Sequence, residues 1–219
     1  MSRLIAIGDI HGCDRALDEL LAWVLPTPDD IVVTLGDYVD RGPNTKGVID
    51  RLIQLGSQTQ LVSLIGNHEE MMLDVITGDK SHHSWLRYGG VETLDSYGFN
   101  GDLNFLPERH IQFFDNLGDY FETEDFFFAH ANYDADLPLD GQFPDALRWR
   151  SLHESMPPPH ANGKVAIVGH TAAADGEILN AGHLICIDTG CYNGGYLTAL
   201  ELTTGTLYQV TKQGTRRAA

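Results

Sequence analysis

Cysteine is scarce in this chain of 219 residues: Cys13, Cys186 and Cys191 cannot all pair with one another and none forms a CxxC. That argues against a disulfide framework and against a cysteine-built zinc site, and it fits a reducing compartment, so the cytoplasm is the expected location. Basic residues are also few, 14 against 31 acidic ones for a net charge of -17. A nucleic-acid partner is disfavoured, because phosphate backbones are held by basic patches, and so is an anionic membrane surface. No apolar run approaches the roughly 18 residues of a membrane span, and the chain opens on a strand-like run with neither the basic nor the long apolar region of a leader. An acidic protein that handles an anion needs a concentrated local source of positive charge. Bound metal can supply it. Nothing in the sequence speaks to oligomeric state.

What is present is a series of short runs dense in β-branched and aromatic residues: Arg3 to Ile7, Ile31 to Leu35, Leu61 to Ile65, Asp125 to Ala129, Val165 to Val168 and Leu184 to Ile187. Continuous apolar runs of this length predict strands covered on both faces. Between the first three, Ala16, Leu17, Leu20, Leu21 and Val24, then Val48, Ile49, Leu52 and Ile53, recur at helical spacing. The alternation predicts an α/β layered fold in one domain spanning residues 1–219. Two stretches, 81–105 and 133–162, look loop-rich, the first an excursion over one sheet edge; the tail, with a turn at Thr204 and Gly205, predicts a hairpin.

The chemistry is concentrated just past the apolar runs. Ile7 is followed by Gly8-Asp9-Ile10-His11-Gly12, Leu35 by Gly36-Asp37-Tyr38-Val39-Asp40-Arg41-Gly42, and Ile65 by Gly66-Asn67-His68-Glu69. Later runs end in His130, in Gly169-His170 and in Asp188. The carboxyl ends of parallel strands converge on one crevice, so residues far apart in sequence can meet there. Carboxylate, imidazole and amide oxygen together suit Mn, Fe or Zn. One ion would take Asp9, His11 and Asp37; a second would share Asp37 and add Asn67, His130 and His170. A lone buried histidine is more often a satisfied core residue than a ligand, and His82, His83, His110, His153, His160 and His183 lack this context and read as surface or loop residues. Glu69 and Glu70 suit the first turn of a helix, where the dipole favours acids.

The motifs "GDIHG", "GDYVDRG" and "GNHE", in that order and followed by separate strand-end histidines, resemble the metallophosphoesterases. The likeness is strongest to the phosphoprotein phosphatase branch, which includes bacterial serine/threonine phosphatases and symmetrical diadenosine tetraphosphatases. It implies a layered α-β-β-α fold, a central mixed β-sandwich flanked by helices, with a dinuclear metal site at strand C-terminal ends. Where eukaryotic members carry His-Gly-Gly, this chain has His130-Ala131-Asn132. The resemblance implies two divalent ions, Mn being the expected metal with Fe and Zn also suited. A water bridging them would have its pKa lowered and be placed for in-line attack on phosphorus. His68 would protonate the leaving oxygen, with Asp40 on its other ring nitrogen. Arg41 and, from a Trp-then-Arg pattern, Arg150 in preference to Arg148 would grip phosphate oxygens. The expected activity is hydrolysis of phosphoserine and phosphothreonine, with phosphotyrosine also in reach, in proteins. Dinucleoside polyphosphates or small phosphoesters are the alternative substrates, and a catalytically silent metal-binding scaffold is the contrasting class.

Overall fold

The computed structural model describes residues 2–173 and 175–218. Among the described residues there are ten strands: β1 (Leu4–Ile7), β2 (Ile31–Thr34), β3 (Gln60–Ser63), β4 (Tyr120–Glu122), β5 (Phe126–Ala129), β6 (Val165–Val168), β7 (Leu179–Asn180), β8 (Leu184–Cys186), β9 (Tyr196–Glu201) and β10 (Thr206–Thr211). They form two five-stranded sheets, ordered β10-β9-β1-β2-β3 and β4-β5-β6-β8-β7. In the first, β1, β2 and β3 are parallel and the β9–β10 hairpin adds antiparallel to β1. In the second, β5, β6 and β8 are parallel and the short edges β4 and β7 are antiparallel.

Alternation along each strand explains why the runs look apolar throughout. Ala6, Val33 and Leu200 point between the sheets, against Phe128 and Ile167 of the other sheet. Their neighbours Ile5, Ile7 and Val32 point outward, against Leu17, Leu20, Ile49 and Leu52. Those partners lie on α1 (Asp14–Val24) and α2 (Thr45–Gly56), and Met71, Met72 and Val75 of α3 (Asn67–Thr77) belong to the same core. On the far side, Phe127, Ala129 and Val168 are covered by Tyr133, Leu139, Leu147 and Leu152 of the 133–162 stretch. Two faces per strand are thus apolar, each buried aliphatic contributing about 1.5–3 kcal/mol. This is the flanked β-sandwich that the resemblance implies.

The structure corrects several expectations. Residues 81–105 are largely helical: α4 (His82–Trp85) and α5 (Val91–Tyr97), joined across a kink at Gly89, and the stretch buries Trp85 and Thr93. Its glycines hid the elements because each helix is too short to show a period. The 133–162 stretch contains α7 (Pro144–Arg148), whereas α6 (Glu108–Asp115), before β4, is the short helix that the run His110 to Leu117 predicts. β4 and β7, at three and two residues, carry no alternation to read. His110 is buried on α6, neither surface nor loop, and His160, though in a loop as expected, is buried too. His110 sits between Tyr97 Oη at 2.7 Å and Asp50 at 2.8 Å, and His160 packs against Phe127 and Tyr133. Among the described residues no helix is long and apolar enough to cross a membrane.

Candidate metal centre

The loops that leave β1, β2 and β3 are tied to one another before any side chain is considered. Ile10 and His11 donate their backbone N–H groups to the Asp37 carbonyl at 3.1 and 2.8 Å, and Gly12 donates to the Tyr38 carbonyl at 2.9 Å. The chain there is contorted: His11, Asp37, Asp40, Arg41 and His170 all occupy left-handed backbone, with φ of 45, 51, 71, 66 and 62°. L-residues visit that region rarely, and it clusters at functional sites. Glycine appears where backbones touch. A Cβ at Gly42 would collide with the His11 carbonyl oxygen, and one at Gly169 with the Asp9 carboxylate. Gly42→Ala is therefore expected to destabilise the fold by about 1–3 kcal/mol, since backbone cannot step aside as a side chain can; chemical denaturation reads it.

Two donor clusters share one residue. Ligand atoms of His11, Asp37 and His68 lie within 4.8 Å of one another, and so do those of Asp37, His130 and His170. Asp37 Oδ2 is 3.3 Å from His11 Nε2, and Asp37 Oδ1 is 3.4 Å from His130 Nε2. Asn67 Oδ1 closes the second group, 3.1 Å from His130 Nε2 and 3.0 Å from His170 Nδ1. Asp9 lies beside it, accepting the His170 backbone N–H on both oxygens at 3.2 and 3.1 Å, though its carboxylate belongs to neither tight cluster.

The tautomers suit metal. His11 Nδ1 lies 2.8 Å from the Val39 carbonyl and His130 Nδ1 2.8 Å from that of Leu35, so each donates there and turns an Nε2 lone pair inward. The inward groups, carboxylate, amide oxygen and imidazole lone pairs, are all acceptors; a cation between them resolves the conflict. Electrostatics agree at the second cluster. Burial raises the Asp9 pKa well above the carboxylate range, and the charges of Asp188 and Asp37 add to it. Burial also lowers His130 and pushes His170 down to about 4, the neutral forms a metal requires. Burial opposes ionisation of Asp37, but His130, His68 and His11 outweigh it and hold its pKa well below normal.

Around this centre, His68 Nδ1 lies 2.7 Å from Asp40 Oδ2, leaving Nε2 turned towards Asp37 Oδ2 at 4.0 Å. Arg41 donates from Nη1 to His11 Nε2 at 3.0 Å and stacks on Tyr192, 4.5 Å from the ring centroid. Arg150 pairs with Asp134 at 2.6 Å, whereas Arg148 is held by Glu70 at 2.9 Å and Asp119 at 2.6 Å. Four further residues were not assigned to the site from sequence. Glu69 is buried and accepts backbone N–H groups from Asp37, Gly66, Tyr38 and Val39. Asp188, also buried, stands close enough to raise Asp9; its place at the end of an apolar run was the signal for it. Trp85 and Thr93 both donate to Asp40.

Residues 2–181 match the family model of the calcineurin-like phosphoesterases. The chain belongs to that family. A symmetrical bis(5'-nucleosyl)-tetraphosphatase of Acidovorax sp. (strain JS42) is 40% identical to this calcineurin-like phosphoesterase over 78 residues, 35% of the chain and 27% of the relative. Serine/threonine-protein phosphatase 1 of Salmonella typhimurium is 36% identical over 85 residues, 38% and 37% of the two chains. The matches thus span well under half the length of these curated relatives. A solved cold-active protein-tyrosine phosphatase from a psychrophilic Shewanella superposes with a TM-score of 0.71 over 99% of this chain and 80% of its own, at 19% identity. At that identity the likeness speaks for the fold.

Proposed function

We propose that this calcineurin-like phosphoesterase hydrolyses phosphate monoesters, foremost phosphorylated serine and threonine side chains of proteins, at two divalent ions. Asp9, His11, Asp37, Asn67, His130 and His170 hold them, and Mn is the expected metal. The observation that carries this reading is Asp37 standing in both donor clusters, each carboxylate oxygen turned to a different histidine. Bound dications supply the nucleophile by lowering the pKa of a water, and they stabilise charge that develops on the phosphoryl oxygens.

The remaining work falls to the chain. His68 gives its Nδ1–H to buried Asp40, which fixes the orientation of the ring, and offers Nε2 to the leaving oxygen. Its 4.0 Å separation from Asp37, longer than those of His11 and His130, suits a group that meets substrate instead of metal. His68→Asn should therefore keep metal affinity, measured by calorimetry, while losing about 10²–10⁴-fold in kcat. Arg41 has no carboxylate partner among the described residues and clamps the phosphoryl group; Arg150, anchored by Asp134, is the second clamp.

The same accounting favours a monoester. Of Arg41, Arg148 and Arg150, only Arg41 lacks a carboxylate partner among the described residues, so beyond Arg41 and the Asp134-anchored Arg150 the chain brings little further cation for a chain of four phosphates. The likeness to the Acidovorax tetraphosphatase favours a second reading, cleavage of dinucleoside tetraphosphates. Parallel turnover of a phosphoserine peptide, diadenosine tetraphosphate and an aryl phosphate decides: the peptide should have the higher kcat/KM than the dinucleotide. The reverse order would sink the monoester reading. Activity should vanish with chelator and return with added Mn.

A further inference from the structure

Asp40 is a fully buried carboxylate whose partners come from a part of the sequence that looks like a loop. The indole Nε1 of Trp85 lies 2.9 and 3.0 Å from its two oxygens, and the Thr93 hydroxyl donates to Oδ1 at 2.8 Å. Thr93 Oγ1 also accepts the Asp40 backbone N–H at 2.8 Å, and Thr45 Oγ1, at 3.0 Å, completes its bonding. One residue thus grips both the main chain and the side chain of Asp40, whose backbone is left-handed. The next residue is gripped as well: Arg41 donates its N–H to the Gly89 carbonyl at 3.2 Å. Trp85 and Gly90 are packed so closely that a Cβ on Gly90 would sit 2.6 Å from the indole ring. Between the two donors the chain kinks at Gly89, whose φ of 110° is left to glycine.

We propose that Trp85 and Thr93 are positioning residues for proton donation by His68, holding Asp40 so that one oxygen stays aimed at Nδ1. This rests on the reading of His68 as the general acid. The chemistry of the donors is what points to positioning. A buried carboxylate needs partners, and an arginine there would both orient it and cancel its charge. Indole N–H and hydroxyl are neutral, so they fix the direction of the carboxylate without neutralising it. The segment 85–93 is in this way a bracket for Asp40 and Arg41, the two working residues of the second motif.

The test uses the full chain loaded with Mn, and the variants Trp85→Phe, Thr93→Val and Thr93→Ser, assayed on 4-nitrophenyl phosphate and on phenyl phosphate, whose phenolate leaves less readily. Trp85→Phe and Thr93→Val should each lower kcat on phenyl phosphate by about 10- to 100-fold and on the nitrophenyl ester by less than about 3-fold, with KM unchanged. Thr93→Ser should stay within about 2-fold of the parent, and neither loss should recur in a His68→Asn background. Equal losses on the two esters, or additive losses with His68→Asn, would overturn the proposal. A second readout needs no turnover. In Zn-loaded protein the His68 Nδ1–H proton resonance, identified by its absence in His68→Asn, should shift upfield and exchange with water at least about 10-fold faster in both variants. An unmoved resonance in a folded variant overturns the proposal by itself, and since the variants alter different atoms, misfolding of one leaves the other to decide. Should the parent hydrolyse no phosphoester at all, the functional reading fails and the resonance still tests the bracket.

Discussion

Asp37→Asn is expected to reduce hydrolysis by about 10³-fold or more, with no recovery in excess metal. Asp37 is buried, and each oxygen faces a different imidazole, His11 at 3.3 Å and His130 at 3.4 Å; Oδ1 also accepts the His68 backbone N–H at 3.2 Å. An amide keeps the shape but turns an NH2 towards one of the two lone pairs and removes the charge that both clusters share. Both metal positions are damaged by one atom change, which is why the loss exceeds the 10- to 100-fold typical of an outer-shell substitution. Melting temperature separates this from unfolding. Metal at 100 times its dissociation constant stabilises a folded protein by about 2.7 kcal/mol. The parent should show that rise with Mn and the variant should not; a variant that gains the full rise would contradict the shared role.

Glu69→Gln should cost stability, about 2–6 kcal/mol, out of proportion to the loss of one oxygen. In the parent, Oε2 accepts from Asp37 N at 2.8 Å and Gly66 N at 2.9 Å, while Oε1 accepts from Tyr38 N at 2.8 Å and Val39 N at 3.1 Å. A glutamine can satisfy one pair and must point its own NH2 at the other, leaving two buried donors facing donors at about 1–3 kcal/mol each. Burial, then the Asp37 charge, raises the Glu69 pKa to about 8, and the amides pull against that. Because Glu69 spans the second and third motifs, the damage should extend to the metal site and lower metal affinity together with the midpoint of denaturation. A variant that denatures like the parent would show that the loop holds its shape without the carboxylate.

The position of Glu69 in the first turn of α3 was readable from its sequence neighbours, but its four bonds were not, because they depend on a loop 30 residues earlier folding back against it. The same distinction runs through the molecule. The interior strands are visible because both faces of each are covered, so Ala6 and Ile7 are alike apolar although one meets the other sheet and the other meets helices. The division of those strands between two sheets is not visible, since an apolar run does not state which layer covers it. The strand-end motifs stand out because polar residues beside glycine interrupt apolar runs. Trp85 and Thr93 gave no such signal: a tryptophan and a threonine in a glycine-rich stretch have no local pattern, and their meaning comes from Asp40, more than 40 residues away. The burial of His110 and His160 is invisible for the converse reason, as their partners Asp50 and Leu137 are supplied by other elements.

The left-handed backbone at His11, Asp37, Asp40, Arg41 and His170 sets a limit on how this protein can be improved. Each such conformation costs of order 1–3 kcal/mol for a residue with a side chain, and glycine would relieve most of it. A selection for thermal resistance alone would therefore drift towards glycine at the very positions that do the chemistry, and a hardened variant obtained that way would be inert.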